Sequence, residues 1–202
     1  MRLTACWLLA ALAAAPHGAS AQACDEEHVR WTEKTDASLA ELEAKRTTIG
    51  TMLKWTVPAW TSSSAYRCQD REGKELNVYS VAGWVRRIKK GEGDGDWHIE
   101  LTATKSGDVK NCIIVEIPPA ELDPLFEQAR LDLDWYVPDD ELFASGDVVE
   151  PIKVRFIGPA FFDNEHRGGA SRRDKTDGSH GRCNASVRAL WEIHPVYWVT
   201  DP

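Results

Sequence analysis

In the stretch WHIELTAT, Trp97, Ile99, Leu101 and Ala103 share one parity, while His98, Glu100 and Thr102 share the other. A period of two over that length predicts a strand with one face in the core. Other segments carry the same β-branched and aromatic signature between turn-forming residues. LNVYSVAGWVRRI begins near Leu76, with Gly83 marking a bend or bulge. CIIVEI begins at Cys112 and stops at Pro118 and Pro119, and DVVEPIKVRFIGPAFF begins at Asp147 with interruptions at Pro151 and Gly158. ALWEIHPVYWV, from Ala189, is the last strand. The Gly-rich KKGEGDGD and the polar SGDVKN are turns.

A helical signal follows the third strand. Asp123 is a good N-cap, Pro124 falls at the first helical position, and Leu125, Phe126 and Ala129 give an apolar side. Nearer the N-terminus, Asp36 can cap a helix through ASLAELEAKR, on which Leu39 and Leu42 form a narrow stripe. Lys45 and Arg46 close that segment and Gly50 lies just beyond it. TMLKWTVPAWTSSSAYRC, with Pro58 and a serine run, reads as a short element and a linker.

The order strand, strand, strand, helix, strand, strand is that of the OB-fold. The expected class is therefore mainly β (α+β): a five-stranded OB-like barrel with one helix between strands 3 and 4, preceded by a short helical N-terminal extension. A plain α+β sandwich is the competing arrangement. The expected boundaries are a signal peptide over 1–23, an extension and linker over 24–75, and the barrel over 76–202. Arg2, the apolar run Thr4 to Ala15 and the A-x-A match at Ala21 to Ala23 carry the signal-peptide reading. The run is too short for a permanent span, so no transmembrane segment is expected in the mature chain. Export would make the protein periplasmic or secreted. Cys24, directly after the cut, raises lipid anchoring as the alternative, although Ala21 fits a lipoprotein box poorly.

Composition adds two constraints. The net charge is −8, which argues against non-specific nucleic-acid binding, since that depends on neutralising many phosphates. If Cys6 leaves with the signal, four cysteines remain, and in an exported chain they predict two disulfides. Barrel topology brings the starts of strands 1, 3 and 5 together, so Cys68 or Cys183 can reach Cys112. The favoured pairing is Cys68–Cys112 with Cys24–Cys183. No C-x₂-C spacing supports a thiolate zinc site.

The blocks HIEL, IIVEIPP, VRFIGPAFFDNEH and WEIHPV together resemble a family of bacterial exported proteins, most of them uncharacterised. Its members share an H-I-E-[LI] strand, a V-E-[VI]-x-P strand, an F-F-D-x-E-H segment and a terminal W-E-I-H-P-V. The likeness runs roughly from Val78 to Val199. It implies a domain boundary and a set of marked positions, and no chemistry.

The chemistry must come from the residues. In an OB barrel the second strand pairs with the third and the third with the fifth. His98, Glu100, Glu116, Glu192 and His194 would then project outward from three neighbours about 4.8 Å apart. Asp163 and His166, from FFDNEH, would join the rim. The ordinary expectation for such a face is a solvated surface, whose cross-strand pairs add about 0.2–1 kcal/mol each. The sharper one is a site. His98, His194, Glu192, Asp163 and His166 are candidate ligands for Zn²⁺ or another divalent ion. His98, Glu116, Glu192 and His194 are candidate catalytic acid–base groups.

The loop from Asp163 to Ser186 carries Arg167, Arg172, Arg173, Lys175, Arg182 and Arg188 among interleaved acids. It occupies a position with which OB-folds grip oligomers, and Tyr79 and Trp84 could stack bases beside it. Arg167, Arg172, Arg173 and Lys175 are its candidate binding residues, so nucleic acid is disfavoured overall but open through this loop. A mobile soluble loop is the plainer reading. Asp94 and Asp96 lack the spacing of a calcium loop, and NAS at Asn184 is a glycosylation acceptor only in a host that glycosylates. No G-x-S-x-G, H-E-x-x-H or phosphate-binding loop is present. The expected function is an exported OB-like binding or interaction module for an unassigned extracytoplasmic ligand. The alternative is a metal-dependent hydrolase, of phosphodiesters for example, built on the His/Glu cluster.

Overall fold

All five segments read as strands do form strands, the last of them as two, and one short strand near the N-terminus joins them. The computed structural model describes residues 28–62, 66–107, 109–167, 180–183 and 186–202. In chain order the elements are α1 (Trp31–Lys34), β1 (Lys45–Thr47), α2 (Ile49–Met52), β2 (Val78–Lys90), β3 (Trp97–Thr102), β4 (Cys112–Ile117), α3 (Pro124–Tyr136), β5 (Asp147–Phe162), β6 (Trp191–Ile193) and β7 (Trp198–Thr200). The fold is mainly β: one mixed seven-stranded sheet in the order β1-β2-β3-β4-β6-β5-β7, with an additional β2–β5 pairing. Pairings thus run from β2 through β3, β4, β6 and β5 and return to β2. The β1–β2 and β4–β6 contacts are parallel and the others antiparallel.

One parity of each strand fills a single core. Val81, Val85, Ile99, Leu101, Ile113, Val115, Phe156 and Ile193 are fully buried there. Each such side chain removed from water stabilises by about 1.5–3 kcal/mol before the entropy of ordering is subtracted. Helix α3 adds Phe126, Ala129 and Leu133 to this core and packs on β7 and β4. Its start is as expected, since the Asp123 carboxylate accepts from the Leu125 N–H at 2.9 Å. Two glycines allow close approaches. A Cβ on Gly83 would stand 2.6 Å from Leu101 Cγ, and one on Gly158 would stand 2.1 Å from the Pro195 carbonyl oxygen.

Several expectations are corrected. The bulge in β2 lies between Val85 and Arg87, not at Gly83. β5 runs through Pro151 unbroken, because the ladder slips between Ile152 and Asp147, where a missing N–H forfeits no partner. The last strand is two: β6 pairs with β5 near Phe162, and β7 pairs with it again near Phe156, on the far side of the cis His194–Pro195 peptide. No helix forms over ASLAELEAKR. Leu42 is nearly half exposed, so the stripe has little to bury, and the segment makes turns before β1 pairs with β2.

The disulfide expectation also fails. Cys112 bonds Cys183, with Cα atoms 5.1 Å apart. That excludes both Cys68–Cys112 and Cys24–Cys183. Cys68 is disulfide-bonded elsewhere, and Cys24 lies outside the described residues. The physical cause is the path of residues 180–183, which cross over the start of β4.

The N-terminal segment is part of the same packing. Ile49, Met52, Trp55 and Trp60 belong to the core. Arg30 makes a two-pronged buried pair with Glu75, at 2.8 and 2.9 Å, and Glu75 also accepts from the Phe162 N–H at 2.8 Å. No helix among the described residues is long and apolar enough to cross a membrane.

Candidate metal centre

The face opposite the apolar core does not meet water. His98 is 1% exposed, Glu116 4%, Asp163 1%, and Glu100, Glu192 and His194 0%. The sheet explains why they meet. His98 stands directly opposite Glu116 in the β3–β4 ladder, and Val115 opposite Ile193 sets Glu192 and His194 beside them. The expectation of an outward, solvated surface is therefore wrong in its second half. These residues point away from the apolar core into a second, polar one.

A short segment provides the cover. His180 to Cys183 lies across β3 and β4, fastened at one end by the Cys112–Cys183 bond. Arg182 donates from its backbone N–H and from Nε to the two oxygens of Glu100, at 3.1 and 2.8 Å, and also pairs with Asp147. Gly181 has φ +56°, and a Cβ there would stand 2.7 Å from His98 Nε2. Only glycine lets the cover lie so close without strain.

Under it, ring nitrogens and carboxylate oxygens converge. Glu116 holds the middle: its Oε1 is 2.9 Å from His98 Nδ1 and 3.6 Å from His180 Nε2, and its Oε2 is 2.9 Å from His194 Nδ1. His194 Nε2 is 3.3 Å from Asp96 Oδ2. His180 Nδ1 lies 2.5 Å from Glu192 Oε1, and since a carboxylate only accepts, the imidazole donates here. His166 Nδ1 is 2.6 Å from Asp163 Oδ2, and the His166 ring stacks on that of His180 at 3.9 Å. Three sets of ligand atoms are close enough to share an ion: His98, Glu116 and His180; Asp96, Glu116 and His194; Asp163, His166 and His180.

The electrostatics of the cluster are strongly coupled. Burial alone would lower the His180 pKa, but Glu192, Glu116 and Asp163 overcome it and push it up to about 10. His194 is likewise raised well above the usual range, burial being outweighed by Asp96, Glu116 and Glu192. Burial would raise Glu116, yet His194, His98 and His180 hold it well below the ordinary carboxylate value. Asp96, where burial dominates, is raised. Lys34, the last residue of α1, is buried facing Asp163, Glu116, Glu192 and Asp96, and these hold its pKa up against desolvation. The cluster is a strong trap for positive charge, whether protons or a cation.

Hydrogen-bond geometry separates those two occupants. Six buried atoms of the cluster make no aligned hydrogen bond among the described residues: both oxygens of Asp96, His98 Nε2, Glu192 Oε2 and both nitrogens of His194. His194 is thus within 2.9 and 3.3 Å of carboxylate oxygens while its N–H directions miss them. Each such buried group left unsatisfied costs about 1–3 kcal/mol. Six would rival the whole stability of an ordinary domain, about 5–15 kcal/mol. Ligands 2.0–2.1 Å from a tetrahedral ion are about 3.3 Å apart. The nitrogen–oxygen spacings of 2.9, 3.3 and 3.6 Å bracket that value. The donor set, imidazole plus carboxylate, suits zinc and other first-row divalent ions.

The structure brings His98, Glu116, Glu192, His194, Asp163 and His166 together, as the strand order implied. It adds Asp96, His180 and Lys34, which the sequence did not mark. Asp96 shares the parity of His98 and Glu100, the local signal that places it on their face. His180 lies three residues before Cys183, so the correct disulfide would have found it. The loop residues do not assemble into a binding surface within the described region. Arg167 bonds Thr61 Oγ1, and Arg172, Arg173 and Lys175 lie outside the described residues. Tyr79 is packed against Trp55 at 4.8 Å and is buried, so it is no stacking platform. Comparison with protein-family models, curated proteins and solved structures gives no match for this chain.

Proposed function

We propose that the chain is an exported, OB-like domain whose ligand is a divalent cation, Zn²⁺ first, held by Asp96, His98, Glu116, His180 and His194. The observation that carries this is His194: a wholly buried imidazole close to three carboxylates, with neither nitrogen in an aligned hydrogen bond. The OB-like reading is supported by the pairing order β2-β3-β4-β6-β5 and by α3 falling between β4 and β5. Export is supported by disulfide-bonded cysteines, which persist in oxidising compartments.

The chain's own residues have distinct parts in this reading. Glu192 fixes the His180 tautomer through Nδ1, leaving Nε2 to face Glu116 and the ion. Glu100 is saturated by Arg182 and serves the cover rather than the ion. Lys34 offsets part of the negative charge. When bound, such an ion would supply Lewis acidity and a water of lowered pKa. A hydrolytic role, the second reading, is favoured by one feature: the His166 side chain is 41% exposed, so that corner borders solvent.

The test is elemental analysis of the purified protein with melting curves before and after chelation. Loading at a thousand-fold excess over Kd adds about 4 kcal/mol, so removal should lower Tm by about 8–16 °C at this chain length. No bound metal and no shift on chelation would reject the proposal. For the second reading, His166→Ala should lower turnover of a chromogenic phosphodiester while the metal content is unchanged. Equal turnover in variant and wild type would remove it.

A further inference from the structure

We infer that this centre holds two divalent ions bridged by the carboxylate of Glu116. The inference rests on the metal-binding reading above and specifies its stoichiometry. Glu116 projects from the middle strand of three, and its two oxygens serve different partners. Oε1 faces His98 and His180, at 2.9 and 3.6 Å, from one side. Oε2 faces His194 Nδ1 at 2.9 Å, and one ligand atom each of Asp96, Glu116 and His194 lie within 4.8 Å of one another, on the other side. The two ligand sets share no residue except Glu116. A carboxylate that presents one oxygen to each of two ions sets them about 3.5–4 Å apart, the separation of two-metal sites.

Glu192 reinforces the pairing. Its Oε1 accepts from His180 and its Oε2 lies 3.7 Å from His194, so one side chain orients an imidazole on each side. The third set, Asp163, His166 and His180, does not add a third ion, because His180 Nδ1 is committed to Glu192 and its Nε2 to the Glu116 side. Glu100 is matched by Arg182 and Arg87 and stands apart from both ligand sets.

The experiment loads the disulfide-intact protein with Mn²⁺ and, separately, with Zn²⁺ after chelation. Ions per chain are counted by mass spectrometry after gel filtration, and the Mn²⁺ form is examined by electron paramagnetic resonance. Two ions per chain and an exchange-coupled Mn²⁺ spectrum are expected from the wild type, which requires no variant to fold. Asp96→Asn should hold one ion and show an uncoupled spectrum, with the near-ultraviolet circular dichroism of the wild type. A wild type that saturates at one ion overturns the bridge and leaves the single-ion reading standing; one that binds two without coupling overturns the bridge while metal binding itself stands. A wild type that binds none overturns both.

Discussion

Glu116 lies within 3.6 Å of three imidazoles at once, and their charge holds its carboxyl well below the ordinary range. Glu192 differs, because it acts through His180 and His194 rather than at the shared centre. It is a positioning residue, and that assignment has its own signature. Glu192→Gln keeps the shape but can turn an amide N–H toward His180 Nδ1, which loosens the tautomer. Divalent-ion affinity should fall about 10–100-fold, the usual cost of losing an outer-shell carboxylate. The number of ions at saturation should be unchanged. Isothermal titration with Zn²⁺ reads both quantities; unchanged affinity would deny Glu192 this part, and a lost ion would make it a ligand. The buried side chains of Asp96, directly before β3, and His98, within it, share one parity of an extended run. That much was legible from the residues alone. Whether such a face meets water or a cover was not.

The cover is the element on which the centre depends. His180 to Cys183 contributes a single imidazole, yet it lies against His98, Glu100, Glu116, Asp163 and Glu192, all of them buried. Its anchor is the Cys112–Cys183 bond, which closes a loop of 71 residues. By chain entropy such a crosslink is worth about 4 kcal/mol. Replacing both cysteines, as Cys112→Ser with Cys183→Ser, should lower the melting temperature. It should also weaken metal binding by at least about tenfold, or about 1.4 kcal/mol, because His180 loses its tether. The Arg182 contacts to Glu100 and Asp147 remain and should prevent complete loss. Melting curves and Zn²⁺ titration of the double variant check both effects; a stability loss at unchanged affinity would show that Arg182 alone seats His180. Helix α3 and strands β2 to β5 lie close to where their periodicity and caps placed them. The short elements do not. ALWEIHPVYWV reads as one strand because its apolar residues continue past Pro195, and apolarity says nothing about where along β5 each half will join.

Across the whole molecule, the N-terminal segment is held to the sheet by buried polar contacts as well as by apolar packing. Arg30 pairs with Glu75, and the Tyr197 hydroxyl donates to the Asp36 carbonyl at 2.6 Å. Burial holds the Tyr197 pKa above its ordinary value. An unfolded tyrosine ionises near pH 10, so the contribution of Tyr197 is complete below that pH and is lost as pH rises toward the folded value. Tyr197→Phe should cost about 1 kcal/mol at neutral pH, and the gap between wild type and variant should close above about pH 10. Denaturant midpoints at pH 7 and pH 11 check this; a constant gap would mean the hydroxyl does not stay protonated in the fold. Five strand-forming segments, the main helix and the pairing of acids and histidines on one parity were present in the amino-acid order, because period and caps are local properties; the count of seven strands was not. The closing of β5 onto β2, the Cys112–Cys183 crosslink and the burial of the polar face were not. Those depend on contacts between residues dozens of positions apart, where the chain's path, and not its local preference, determines which groups lose their water.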